Sequence, residues 1–182
     1  MKYFKSITLF TLSLFCLITN CERDDICAES TATTPRLIID FLDVSNRDNM
    51  KNVVNLRVTG VGNANPLEGL DGTTRAIDNI QLPLRTDTTS TQFVLHENYV
   101  VNDNNTPNDT TDDIVQGNPD TITINYTTEL VFVSKACGFK TVYNNVTITI
   151  ENDQDNWIVT REPVNANQPV ENETETHFNI LH

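Results

Sequence analysis

The amino-acid sequence predicts an all-β protein, an antiparallel β-sandwich of the immunoglobulin-like type with about seven strands. Apolar and polar residues alternate along several short segments, which is the period of strands that bury one face. Turn-forming residues separate these segments, as they do in sandwiches of short strands. The chain of 182 residues is rich in β-branched side chains and has only six glycines and seven prolines. No segment shows the apolar spacing of a helix of any length.

Four strands are predicted in the first part of this domain, with a turn over residues 46–52 and an irregular stretch over residues 62–75. Alternation assigns the apolar side chains of each strand to the buried face. The third strand contains Pro83, which cannot donate a ladder hydrogen bond, so an edge position is expected. The four strands are residues 36–43, 54–60, 76–84 and 91–97.

The clearest alternation covers residues 121–134. A segment of this length would extend over about 46 Å, longer than most strands, so a bulge or a strand shared between two sheets is expected near Thr127 and Thr128. One parity of the segment carries the apolar side chains and is expected to face the core. Its members are Ile122, Ile124, Tyr126, Leu130 and Phe132.

Three further segments complete the predicted sandwich. Residues 142–150 return beside the long strand, residues 157–160 follow a turn, and residues 177–180 supply a last strand. Trp157 is expected to anchor the core, because its large apolar area dominates such interiors.

The first 25 residues predict export and a lipid anchor. A cationic start precedes an apolar run over residues 7–18, which has the length of a signal-peptide core and is too short to span a bilayer. Residues 17–21 resemble the lipobox of bacterial lipoproteins, although Asn20 stands where a smaller residue is commoner. We therefore expect a signal peptide over 1–20, lipidation of Cys21 with fatty chains such as palmitate, a tether over 21–35 and the sandwich over 36–182. An ordinary secretory signal that is cleaved nearby is the alternative.

A charged segment directly follows this cysteine. Glu22, Arg23, Asp24 and Asp25 resemble the acidic export signal of surface-exposed Bacteroidetes lipoproteins. The alternative is a solvated linker, which most charged runs are. The export reading predicts a protein in the outer membrane that faces the cell surface.

The charge balance excludes one class of partner. The chain has 12 basic and 25 acidic residues, a net charge of −13. Removal of Lys2 and Lys5 with the signal leaves ten basic residues and a net charge of −15. Such a chain does not bind nucleic acid through phosphates, and anionic lipid repels it, so the anchor must hold it at a membrane.

The cysteines predict one disulfide. Cys16 leaves with the signal and Cys21 takes the lipid, so Cys27 and Cys137 remain as an even pair in an oxidising envelope. Their bond would close a loop of about 110 residues, which stabilises a fold by at most about 4.7 kcal/mol in the chain-entropy model. Two free buried thiols are the alternative. The three histidines are too scattered for a zinc site.

An acidic segment over residues 101–120 is the candidate metal site, since clustered oxygen ligands suit Ca²⁺. The EF-hand register fails there, because it lacks the required glycine and the final glutamate. The alternative is a solvated hairpin tip. The candidate ligands are Asp103, Asn105, Asp109, Asp112 and Asp113.

Three threonines preceded by aspartate, Thr88, Thr110 and Thr121, resemble acceptors of O-glycans on Bacteroidetes envelope proteins. All three are expected in loops or at loop ends, where a glycan can be accommodated; a chance match in a chain rich in Thr and Asp is the alternative.

Catalysis is not predicted. The serines have no Gly-x-Ser-x-Gly context, and no His–Asp pair can be selected. Carboxylates are plentiful, but the chain has few of the aromatic residues that line a glycosidase cleft. We expect a non-enzymatic protein.

Nearly the whole chain resembles a small family of flavobacterial (Bacteroidetes) lipoproteins, a domain of unknown function. The matching stretches are the lipobox, residues 25–27, 34–39 and 136–139, and the closing residues 175–178. The resemblance implies a gene close to that of an outer-membrane β-barrel protein, and it supplies no catalytic residue. It also fits the disulfide, because Cys27 and Cys137 both lie in matching stretches.

Two functions are therefore expected. The first is an outer-membrane lipoprotein that acts as an accessory or binding subunit of an envelope β-barrel complex. The second is a surface recognition module that binds a glycan or host ligand, with Ca²⁺ in the acidic segment.

Overall fold

The computed structural model describes residues 26–28, 31, 33–74 and 76–182. This described part contains ten strands and no helix, so the predicted all-β class is confirmed, with ten strands instead of about seven. The strands are β1 (Leu37–Asp43), β2 (Asn46–Met50), β3 (Arg57–Gly60), β4 (Pro66–Asp71), β5 (Asn79–Leu82), β6 (Ser90–Asn102), β7 (Ile114–Ser134), β8 (Gly138–Ile150), β9 (Thr160–Pro163) and β10 (Phe178–Leu181).

Two strands occupy stretches for which turn or irregular structure was predicted. All five residues of β2 are exposed, and β4 has one buried residue, Leu70. Neither segment shows the alternation that identifies a half-buried strand, because neither buries a regular face. Backbone pairing with β1 and β3 makes them strands nonetheless.

The chain divides into two compact units. The larger, here called the sandwich unit, comprises Ala32–Val131 and Lys140–His182. The smaller, here called the disulfide unit, comprises, among the described residues, 26–28, 31 and Phe132–Phe139. The loop between β7 and β8 therefore belongs to a different unit from most of those two strands.

The first sheet has the order β2-β1-β10-β9, with β5 also paired to β1. Strands β1 and β10 run parallel, whereas the other pairs of this sheet are antiparallel. The purely antiparallel arrangement predicted from the sequence is thus corrected to a mixed sheet. Parallel neighbours need a long connection, and nearly the whole domain lies between these two strands.

The second sheet has the order β4-β3-β6-β7-β8. Strands β6 and β7 pair antiparallel from Ser90 opposite Asn125 to Asn102 opposite Ile114. Their register shifts between Glu97 and Val100. This irregularity lies at the start of the outer half of the hairpin, away from the predicted position near Thr127.

One hydrophobic core joins the inner faces of the two sheets. Leu37, Ile39 and Phe41 of β1 are fully buried, as their alternation predicts. Trp157 is 8% exposed and donates its indole N–H to the carbonyl oxygen of Leu95 at 3.1 Å, so its predicted role as a core anchor is confirmed.

The predicted buried face of β7 ends at Tyr126. Ile122 and Ile124 are fully buried, but Leu130 is 70% and Phe132 is 58% exposed, so their predicted burial is wrong. β7 has 21 residues, whereas the longest strand of the first sheet has seven. Alternation continues along β7 further than the facing sheet can provide apolar partners.

Candidate functional site

The predicted anchor and export signal lie outside the described residues. These are the signal peptide over 1–20, the lipidated Cys21 and the charged segment Glu22, Arg23, Asp24 and Asp25. All of them stay predictions. Within the described part of the chain, no helix has the length and hydrophobicity needed to cross a membrane.

The predicted disulfide is confirmed. Cys27 and Cys137 are bonded, with their Cα atoms 4.9 Å apart across 110 positions of sequence, which corrects the alternative of two free thiols. The backbone N–H of Cys137 donates to Ser134 Oγ at 3.0 Å and closes the turn that contains both residues. Gly138 then adopts φ of +71°, a conformation that glycine takes without steric cost.

Two phenylalanine rings of the disulfide unit are exposed. Phe132 is 58% and Phe139 is 64% exposed, and their ring centroids lie 5.4 Å apart at 68°. Ile26, next to Cys27, is 83% exposed. We call Ile26, Phe132 and Phe139 the aromatic tip.

The acidic segment is shorter than predicted. β6 extends to Asn102 and β7 begins at Ile114, so residues 103–113 connect the strands, and the expected loop over 101–120 is corrected. Hydrogen bonds within the loop organise it. Thr106 Oγ1 lies 2.8 and 3.0 Å from the carboxylate oxygens of Asp112, and Thr111 Oγ1 lies 2.6 Å from Asp109 Oδ1.

The candidate calcium ligands are not gathered into one cluster. No group of three or more His, Cys, Asp or Glu side chains placed to hold a metal occurs in the ranges that the structure describes. Asp113 Oδ1 is buried and has no hydrogen-bond partner among the described residues. Calcium binding through Asp103, Asn105, Asp109, Asp112 and Asp113 stays a prediction.

The three candidate glycan acceptors differ in their surroundings. Thr110 is exposed in the acidic loop, whereas the half-buried Thr88 donates its hydroxyl to the carbonyl oxygen of Ser90 at 2.7 Å. Thr121 lies within β7 opposite Val94 and is half-buried, so its expected position at a loop end is corrected. Glycosylation stays a prediction for all three.

Asp120 is a buried carboxylate that sequence reasoning assigned to the acidic loop. It is fully buried in β7, where Oδ2 accepts the backbone N–H of Ile158 at 2.8 Å and Oδ1 that of Trp157 at 3.4 Å. Burial raises the pKa of Asp120, and these N–H donors oppose the shift. Asp120 thus connects β7 by hydrogen bonds to the segment that precedes β9. Its parity, shared with Ile122 and Ile124, was the signal that could have revealed its burial.

The outer half of the β6–β7 hairpin exposes a row of aliphatic side chains. Val100, Val101, Ile114 and Val115 are each between 41 and 54% exposed, and Val101 lies directly opposite Val115. We call these four residues the hairpin face. Because successive strand residues point to opposite sides, Val101 and Val115 lie on one side of the hairpin and Val100 and Ile114 on the other. Exposed apolar side chains grouped at one end of a hairpin are candidate contacts for a partner.

A cavity of about 430 Å³ opens beside the hairpin face and is lined by Tyr99, Asp71 and Thr73 as well as by Val100 and Val101. The Arg57 guanidinium carbon lies 5.0 Å from the centroid of the Tyr99 ring, a cation–π contact. Gly72 has φ of +90°, and a Cβ there would lie 2.5 Å from Tyr99 Cδ1. Glycine therefore allows the ring to pack at this position.

His96 supports the same ring from within the hairpin. The two ring centroids are 5.1 Å apart in an edge-on arrangement, and burial lowers the pKa of His96. Its Nε2 has no hydrogen-bond partner in the described part of the structure. A Cβ on Gly117 would lie 2.8 Å from this atom, so the backbone closes over the imidazole. This histidine is placed to position Tyr99.

Comparison with known proteins identifies one family. A model of a family of unknown function, DUF6452, matches residues 55–182, more than two thirds of the chain. The matched range contains β3 to β10, and with them the hairpin face, Asp120 and Cys137. No curated protein and no solved structure matches the chain.

Proposed function

The chain belongs to the family of unknown function DUF6452, and from this premise we propose that it is a non-enzymatic lipoprotein of the outer membrane, facing the cell surface. It serves as an accessory or binding subunit of an envelope β-barrel complex. Cys21 carries the lipid, and the acidic segment that follows directs the protein to the surface. The resemblance to flavobacterial lipoproteins encoded near a β-barrel protein supports this choice of membrane and partner.

The disulfide between Cys27 and Cys137 is the observation that carries the proposal. Disulfides persist in the bacterial envelope and outside the cell, whereas the cytosol keeps thiols reduced. The bond therefore supports export, which the signal peptide accomplishes. Cys27 lies six positions after Cys21, so the bonded tether begins close to the anchor.

Stable anchoring follows from the number of fatty chains. A single chain gives marginal, reversible membrane binding, and each buried CH₂ contributes about 0.8 kcal/mol. The two or three chains of a lipoprotein hold an acidic domain at a membrane in spite of the net charge of −15 that remains once the signal peptide is removed. A lipid-anchored protein can reach a β-barrel partner in the same membrane by lateral diffusion.

The hairpin face is the surface that we assign to this partner. Its four aliphatic side chains project from a hairpin whose end carries the acidic loop, so apolar contact area is bordered by charge. Interfaces commonly combine an apolar centre with a polar rim. A β-barrel protein presents loops at the membrane surface that can contact these side chains.

Crosslinking in intact cells tests the assignment. The wild-type chain should retrieve a β-barrel protein, and a Val101→Asp/Ile114→Asp variant should lose it. A Val61→Asp/Val159→Asp variant is the matched control, because these residues are 53 and 61% exposed outside the hairpin face. The control should retain the partner. Repeated recovery of the lipoprotein alone, or equal recovery with the hairpin variant, would contradict the proposal.

A surface recognition module for a glycan or host ligand is the second candidate. The cavity beside Tyr99 and the unpartnered Asp113 Oδ1 favour it, since an aromatic ring can stack on a sugar and a buried carboxylate oxygen can bind Ca²⁺. A specific ion raises the free energy of unfolding by RT ln(1 + [L]/Kd), and the melting temperature increases as a result. An increase with Ca²⁺ that is absent from Asp113→Asn would support the calcium-dependent form, and no increase would remove it.

A further inference from the structure

The aromatic tip departs from the pattern of the other phenylalanines that the structure describes. Phe41, Phe93 and Phe178 of the sandwich unit are at most 2% exposed, whereas Phe132 and Phe139 are more than half exposed. The two exposed rings lie in the unit that contains the disulfide. Exposed aromatic and aliphatic side chains in one place mark a surface that another apolar phase covers.

Chain length identifies which apolar phase lies within reach. Cys27 lies six positions after Cys21, and a fully extended chain covers at most about 3.6 Å per residue, or roughly 20 Å in total. Because Cys137 is bonded to Cys27, it too must lie within about this distance of the lipid. Cys137 is two positions from Phe139 and five from Phe132. Without the bond, the tether would first join the sandwich at β1, which begins at Leu37, 16 positions after Cys21.

We propose that the disulfide holds the aromatic tip at the bilayer that the lipid of Cys21 enters, where Ile26, Phe132 and Phe139 insert into the interfacial layer. This inference rests on the proposed lipidation of Cys21. The bond thus shortens the chain between the lipid and the fold and adds apolar side chains to the fatty-acid anchor. Aromatic rings favour the membrane interface, where they bury apolar area beside the polar headgroups.

The charge of the segment is compatible with this contact. Phe132–Phe139 contains Lys135 and no acidic residue, although the whole chain carries a net charge of −13. The tether beside it carries three acidic residues and one arginine between Cys21 and Ile26. Electrostatic attraction therefore does not drive the contact, and the exposed apolar side chains do.

Quenching by brominated lipid measures the contact directly. The lipidated full-length Phe132→Trp protein is reconstituted in vesicles of phosphatidylcholine and phosphatidylglycerol, with and without bromine on the acyl chains. Wild-type protein supplies the baseline, because its single tryptophan, Trp157, is buried in the core. We expect brominated lipid to reduce the added emission of Phe132→Trp roughly twofold or more, since interfacial side chains lie within about 5–10 Å of the acyl boundary.

Two control variants define the specificity. Val159→Trp places the probe at a residue that is 61% exposed in the sandwich unit, and it measures the quenching that anchoring alone produces. Cys27→Ser in the Phe132→Trp protein removes the bond but leaves the lipid. Both should be quenched clearly less than Phe132→Trp. Equal quenching in either variant would overturn the role of the aromatic tip or of the disulfide.

Failure of this inference can be distinguished from failure of the proposed function. Flotation with vesicles and the mass of the mature N-terminus report whether Cys21 carries lipid. A chain without lipid would refute the anchor itself. A lipidated chain that floats while Phe132→Trp remains unquenched would overturn the membrane contact and assign the aromatic tip to a protein partner.

Discussion

The sandwich unit and the disulfide unit use their aromatic residues in opposite ways. In the sandwich unit Phe41 is fully buried and lies 6.0 Å from Trp157, centroid to centroid. In the disulfide unit Phe132 and Phe139 contact each other but stay more than half exposed. Burial of apolar area therefore stabilises the first unit, whereas a covalent bond constrains the second. The same residue type is structural in one unit and available for binding in the other.

The largest expected effect on stability is the difference between truncating a buried ring and truncating an exposed ring. Phe41→Ala leaves a cavity in a fully buried site and should lower the free energy of unfolding by about 3–5 kcal/mol. Phe139→Ala is the matched exposed variant and should stay within about 0.5 kcal/mol of the wild type. Urea denaturation followed by circular dichroism measures both. Similar losses in the two variants would refute the contrast between the units.

Removal of the disulfide should have the next largest effect on stability. A Cys27→Ser/Cys137→Ser variant opens a loop of 110 residues and should lose about 2–4 kcal/mol of stability, because the unfolded chain gains conformational freedom. Its native circular dichroism spectrum should remain that of a β protein, since the buried core belongs to the sandwich unit. Wild-type protein with and without reductant is the control. An unchanged denaturation midpoint would show that the bond does not stabilise the fold.

Asp120 tests whether a buried carboxylate contributes to the stability of the sandwich unit. Asp120→Ala leaves the N–H groups of Ile158 and Trp157 without their acceptor and should cost about 1–3 kcal/mol. Asp48→Ala, at an exposed position of β2, should have little effect. Equilibrium denaturation of the two variants compares them. A neutral Asp120→Ala would mean that the cost of burying the carboxylate cancels its hydrogen bonds.

The smallest expected effect is a dependence on pH through His177. This residue is 1% exposed, and its Nδ1 accepts the N–H of Ile38 at 2.9 Å. Burial lowers the pKa of His177, an effect that Glu175 and Glu173 oppose. Because the unfolded chain binds a proton at the ordinary histidine pKa of about 6.5 and the folded chain does not, stability falls as pH drops below that value.

The slope from one such group is at most about 1.4 kcal/mol per pH unit. His177→Asn keeps an acceptor for Ile38 without the titration, so its stability should fall less than that of the wild type between pH 7.5 and 5.5. The difference between the two proteins cancels contributions from His96, His182 and the carboxylates. Parallel pH profiles would exclude His177 as a source of the dependence.

Sequence patterns predicted the strands that bury one regular face. β1, β6, β8 and β10 lie where alternation places them, and Phe178 and Ile180 of β10 are buried. β2 was missed because none of its five residues is buried, so no alternation marks it. Burial of Asp120 was missed for a different reason. Its parity with Ile122 and Ile124 pointed inward, but an aspartate beside an acidic loop was assigned to that loop, and the two N–H groups that hydrogen-bond to it come from a distant segment.

The candidate sites also divide into those that the sequence could predict and those that it could not. The pairing of Cys27 with Cys137 could be predicted, because elimination left two cysteines. The hairpin face could not, since Val100, Val101, Ile114 and Val115 resemble any strand residues until their exposure is known. Tyr99 acquires its cavity only when Gly72 and Arg57 come next to it.

By itself the sequence determined the β-sandwich class, the approximate positions of the half-buried strands and the disulfide, because periodicity and residue chemistry are local properties of the chain. It did not determine the strand ends: β6 and β7 run on to Asn102 and back from Ile114, and β9 begins only at Thr160. Only the tertiary structure decided which apolar faces meet a partner. Ile124 and Phe132 share one parity of β7, yet one is fully buried and the other is 58% exposed. Burial depends on whether a second surface lies opposite, and a pattern within one strand contains no information about that surface.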